Sequence, residues 1–188
     1  MFAAAFLAIL VGSMTSAQPS RGDSKAAQDA NLTGLHDFDF LVGQWRVHHR
    51  QLKERLADSH EWTEFEGSLV TRRLMNGWAN VGDNVFKMPG GEVRGVGLRS
   101  YDPKTGQWSV WWLDGRDPSA DLGAPIKGGF QNGIGTFFSD EMYRGKPIRV
   151  RVTWSRITST SAHWEQAFSP DGGKSWETNW TSDFTRSD

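Results

Sequence analysis

The side chains of this sequence that could do chemistry are a carboxylate, an imidazole, an arginine and a set of indoles. Asp114 closes the run Gln107-Trp108-Ser109-Val110-Trp111-Trp112-Leu113-Asp114, just before a long loop, and His49 lies in Val47-His48-His49-Arg50. A carboxylate and an imidazole facing one pocket are the groups that acid–base catalysis uses. Glu64 and Glu66 are two residues apart, so on a strand they share a face. Inside a pocket the pair would force one member to keep its proton, whereas on an outer face both would be solvated. Arg99 is in phase with Val93, Gly95, Gly97 and Tyr101. Facing inward it would need a carboxylate or an anionic ligand, because a buried, unpaired guanidinium is costly; facing outward it would be solvated. Trp112, Trp154, Trp164, Gln166 and Trp180 fall on alternating faces of strand-like runs. Such residues either fill a core or line a pocket for a small apolar or aromatic ligand.

Other chemistries lack their residues. There is no cysteine, hence no disulfide, thiolate metal site or Cys nucleophile. His36, His60 and His163 are scattered, and strand alternation sends the adjacent His48 and His49 to opposite faces. No metal-ligand spacing appears, and neither a metal nor a cofactor is expected. No nucleophile elbow, phosphate loop or dinucleotide fingerprint is present. A formal net charge of -1 gives no reason to expect nucleic acid or an anionic membrane as partner. The expected partner is a small-molecule ligand.

The elements that must position these residues are strands. From residue 43 onward a period of two dominates. Segment 43–51 alternates, with Trp45 and Val47 on one face and Arg46 and His48 on the other. Segment 61–75 reads as one bent strand or two short ones, and 78–87 as another; which of their faces points inward is ambiguous. Segments 93–101 and 107–114 flank Asp102-Pro103-Lys104-Thr105-Gly106, a turn in which Pro presets φ and Gly permits positive φ. The loop 115–125 is longer than a hairpin needs. Segments 127–132 and 134–142 meet at Asn132-Gly133, a strong hairpin signal. In 147–156, Ile148, Val150, Val152 and Trp154 alternate with Arg149, Arg151, Thr153 and Ser155. The last pair is 162–168 and 175–186, with Trp164, Gln166 and Phe168 on one face and Trp176, Trp180 and Phe184 on another. This predicts an all-β fold of roughly eight to ten antiparallel strands after a short helical turn at 35–42. A closed barrel removes the edges that so wide a sheet would expose; a two-sheet sandwich is the alternative.

The first residues read differently. Residues 2–12 are almost wholly apolar, too short to span a bilayer as a helix, and Thr15-Ser16-Ala17 supplies small residues for a signal peptidase. The reading is a signal peptide over 1–17, a polar tether over 18–34 and one domain over 35–188, exported to the periplasm or secreted. The absence of Lys or Arg from the first residues fits this poorly, and a short buried N-terminal helix is the other option.

Two resemblances add to this. Gly43-Gln44-Trp45 at the start of the first strand, with Arg186 near the end of the last, resembles the lipocalin-like (calycin) barrels. There a Trp closes the barrel base and a basic residue stacks on it. Over nearly the whole domain, His36 to Trp45, Tyr101-Asp102-Pro103 and Trp164 to Trp180 resemble a secreted bacterial family of unknown function with a calycin-type barrel. That resemblance implies a fold and no activity. Ser169 to Trp176 also resembles the Asp-box turn of sialidases; occurring once, it reads as a structural turn. The functional expectation is an exported binding barrel with a Trp-lined pocket. The alternative is a cofactor-independent lyase, isomerase or hydrolase using Asp114 and His49.

Overall fold

The computed structural model describes residues 32–187. The expected signal peptide over 1–17, and the expected tether up to residue 31, lie outside the described residues. Ten strands follow in order: β1 (Gly43–Leu52), β2 (Trp62–Leu74), β3 (Ala79–Met88), β4 (Gly91–Asp102), β5 (Gln107–Asp114), β6 (Ile126–Gln131), β7 (Ile134–Tyr143), β8 (Lys146–Ser155), β9 (Ser161–Ser169) and β10 (Glu177–Arg186). Each pairs antiparallel with its neighbour in sequence, and β1 also pairs with β10, so the sheet is a closed barrel rather than a sandwich. The stretch 61–75 is one 13-residue strand. Asn132 and Gly133 turn β6 into β7 at φ of 53° and 76°, the left-handed pair a two-residue hairpin demands. The Asp102 carboxylate accepts the Lys104 N–H at 2.8 Å and the Thr105 hydroxyl at 3.0 Å, holding the β4–β5 turn.

Four hairpins and the two ends of the described residues border the base of the barrel; loops 53–61, 89–90, 115–125, 144–145 and 170–176 border its mouth. A 3₁₀ turn, Asp39–Leu41, precedes β1, and the chain around it fills the base. Phe38 and Leu41 are fully buried. The Phe38 ring meets Trp108 and Phe130 edge-on, at 5.1 and 5.0 Å between centroids. Trp45 is fully buried, and its indole N–H donates to the Leu41 carbonyl at 2.9 Å. Arg186 lies 4.3 Å over that indole and donates to the carbonyls of Ser159, Val42 and Phe40 at 2.7, 2.9 and 2.7 Å. The Trp–Arg stack expected from the sequence is therefore made. Gly43 has φ +117°, and a Cβ there would stand 2.6 Å from Arg186 Nη1, so glycine is required twice over.

The ambiguity over 61–87 resolves. Phe65, Gly67, Leu69 and Thr71 of β2, and Asn80, Gly82, Asn84 and Phe86 of β3, face inward. Glu64 and Glu66 lie on the outer face beside His48, whose Nδ1 is 2.8 Å from Glu66. One facing expectation fails, at β10. Simple alternation puts Trp176 with Trp180 and Phe184, but a bulge between Thr178 and Trp180 shifts the register. Asn179, fully buried, takes up the extra position. Trp176 therefore lies on the outer surface, 4.5 Å under the Arg151 guanidinium. The turn before it is structural: Asp171 accepts the Ser175 and Lys174 backbone N–H groups at 2.9 and 3.0 Å. Bonds from Ser175 and Ser169 hold its carboxyl well below the usual range.

Candidate ligand site

Above the packed base the barrel is hollow. A cavity of about 300 Å³ lies there, with His49, Arg99, Trp112, Trp154, Trp164, Gln166 and Trp180 in its wall. The structure brings these seven residues together in one place, and Arg99, whose facing the sequence left open, points inward. The room for the larger of them comes from glycines on the β2–β4 wall. A Cβ at Gly67 would stand 2.7 Å from the His49 ring, one at Gly97 3.2 Å from Arg99, and one at Gly95 2.1 Å from the Trp112 indole. Three side chains able to meet a ligand each lie on a strand position that lacks its own side chain.

His49 is buried between Phe65 and Phe86, with ring centroids 4.9 and 5.0 Å away. Its Nδ1 is 2.8 Å from Ser182 Oγ and receives the Trp180 indole N–H at 3.4 Å. An indole N–H only donates, so Nδ1 accepts and the neutral ring carries its proton on Nε2. Burial, helped by the neighbouring His48, pushes the imidazole down to about 4. A ring that weakly basic is a poor proton acceptor at neutral pH.

Arg99 is 7% exposed, and burial pushes its guanidinium down to about 10. Nη1 donates to Asn80 Oδ1 at 3.0 Å, and the guanidinium stands 5.4 Å over the Phe38 ring. Among the described residues it forms no ion pair, and no carboxylate offsets the cost of its burial. The wall's carboxylate, Glu141, is exposed at the end of β7 and accepts the Ser139 hydroxyl at 2.6 Å.

Asp114 lies elsewhere. It ends β5 outside the cavity wall and clamps Arg116, whose backbone N–H and Nε both donate to Oδ1 at 2.9 Å. That pairing holds its carboxyl below the usual range. The fold does not bring Asp114 and His49 to one site. Residues the sequence reading did not single out are Asn80, Asn84, Phe65, Phe86 and Ser182. A signal for Asn80 existed: counting back from the tight turn at Pro89-Gly90 sets it opposite Arg99.

No family model and no curated protein matches the chain. Among solved structures, the S-type phycobiliprotein lyase CPES from Guillardia theta matches with a TM-score of 0.55 at 11% identity, covering 86% of this chain and 97% of that one. The likeness shows a shared barrel fold. Two further structures match at lower TM-scores. EF1p2_mFAP2b bound to DFHBI scores 0.44 at 12% identity, over 82% of this chain and 100% of that one. A de novo designed fluorescence-activating β-barrel scores 0.42 at 13% identity, over 79% of this chain and 95% of that one.

Proposed function

We propose that this chain is an exported, calycin-like barrel that binds a small molecule with an apolar or aromatic body. The carrying observation is the cavity: about 300 Å³, walled by Trp112, Trp154, Trp164 and Trp180 with few polar groups between them. That volume sits at the small end of the range for drug-sized ligands. Indole rings supply large contact area and prefer to pack edge or face against other rings. Gln166 lies in the same wall, where its carboxamide can orient the ligand. The lyase likeness supports the barrel alone; the ligand class is inferred from the wall. Export, to the periplasm or outside the cell, rests on the apolar stretch and the small residues ahead of Gln18. The resemblance to a secreted bacterial family agrees with it.

Two measurements test the proposal. Intrinsic tryptophan fluorescence of the purified protein should quench, saturably, on titration with aromatic or apolar compounds. Native mass spectrometry of protein purified from its own host should show an added small-molecule mass. Indifference to a broad aromatic, lipid and sugar panel, together with a bare mass, would overturn it. N-terminal sequencing of the exported form should begin at Gln18.

A further inference from the structure

Resting on that binding reading, we propose that the ligand is a monoanion, an aromatic or apolar carboxylate that enters carboxylate first and is held by Arg99. Among the described residues, the cavity wall has one buried charge. Arg99 sits at its inner end, above Phe38, while the wall's carboxylate, Glu141, is exposed at the mouth end of β7. A guanidinium offers five N–H donors, and its hydrogen bond among the described residues is the one from Nη1 to Asn80 Oδ1. Asn80 is neutral, so it satisfies geometry without cancelling charge.

The surroundings admit the guanidinium by design of the backbone. Gly82 and Gly97 are direct register partners across β3 and β4, and a Cβ on either would stand 3.3 or 3.2 Å from the guanidinium nitrogens. The head group thus lies along the inner wall, its plane bounded by backbone rather than by acidic side chains. His49, the other buried ionisable group of the wall, stays neutral at ordinary pH and so neither competes as a cation nor supplies a counter-charge.

One buried cation is balanced by one negative charge. A dianion would leave a net charge in the cavity, and a second acidic group near the mouth would meet Glu141. A planar carboxylate matches the guanidinium fork, and the indoles take the rest of the molecule.

The test is isothermal titration calorimetry of the purified chain with two matched series. One is benzoate, 2-naphthoate and biphenyl-4-carboxylate; the other is the corresponding neutral primary alcohols. In the unaltered protein the best carboxylate should bind roughly tenfold to a hundredfold more tightly than its alcohol. Arg99→Met should erase that preference. Asn80→Asp places a carboxylate on the guanidinium from within the protein. It should cut carboxylate binding at least about tenfold and so close the gap between the two series, and it carries the test if Arg99→Met does not fold. Equal binding of the two series in the unaltered protein, or a preference that survives either folded variant, overturns the inference and leaves the binding reading standing. Failure of both series overturns the binding reading, and this inference with it.

Discussion

Arg186 at the base and Arg99 in the cavity are two arginines in one barrel, each set over an aromatic ring, and their surroundings differ. Arg186 stacks at 4.3 Å on Trp45 and gives three hydrogen bonds to main-chain carbonyls. Arg99 stands 5.4 Å over Phe38 and, among the described residues, gives one, to an amide. The first is a staple, each of its three nitrogens bonded to the main chain, that closes the barrel. The second is an undersaturated cation in a hollow. An arginine whose every nitrogen is bonded to the main chain belongs to the fold, and one held in a cavity with two nitrogens to spare is open to a further partner.

The comparison can be broken or sharpened by mutation. The largest effect is expected at the base, where Trp45→Ala removes a fully buried indole and its bond to Leu41. It should cost about 3–5 kcal/mol in denaturant unfolding; a loss under about 1 kcal/mol would show that the base is not the barrel's keystone.

Next in size is a pH effect confined to the cavity. The folded-state value of His49 is about 4, against 6.5 for a free imidazole. Folding therefore favours the neutral ring. The stabilisation is complete above pH 6.5 and is lost as pH falls through 4, amounting to up to about 3 kcal/mol. His49→Phe should flatten the stability profile between pH 6.5 and 4 relative to the unaltered protein. Parallel profiles would mean that the ring is not held neutral.

The two arginines themselves should respond with opposite sign. Arg186→Met orphans a stacked ring and three carbonyl contacts and should lose about 2 kcal/mol. Arg99→Met removes an uncompensated buried charge and should be neutral to stabilising by roughly 1–2 kcal/mol. Thermal unfolding of the pair gives the answer, and equal losses would erase the distinction drawn between them. The smallest effect is expected at Gly95→Ala, whose Cβ would collide with the Trp112 indole at the mouth. Because Trp112 is 43% exposed and can swing outward, the cost should be about 1 kcal/mol, with a visible change in tryptophan emission. Unchanged emission would mean that the indole does not rest on that glycine.

Much of this arrangement was legible in residue order. Alternation put Trp45 and Val47 on one face of β1 and separated His48 from His49, because successive strand side chains must point oppositely. Asn132-Gly133 named its hairpin. Arg99 could be aligned with Gly95 and Gly97, yet its neighbours Val96 and Leu98 made the other face equally plausible as the inside. Over 61–87 the pattern failed for a related reason: the inward face carries Thr71, Asn80 and Asn84, while apolar Val70, Val81 and Val85 face outward. A cavity wall is allowed polar residues that a solid core is not, so hydrophobic phase loses its meaning where a ligand would sit. At β10 the bulge at Asn179 reversed the facing of Trp176, and nothing local announces a bulge.

The strand pattern, the turn residues and the Gly43–Trp45–Arg186 set were properties of the chain alone, since backbone geometry and short-range sterics dictate them. Which strand closes on which, that the base is filled and the upper half hollow, and that Arg99 has no counter-charge among the described residues were decided in three dimensions. Each of those depends on side chains distant in sequence meeting across the barrel, and the volume they leave empty is a property of their sum.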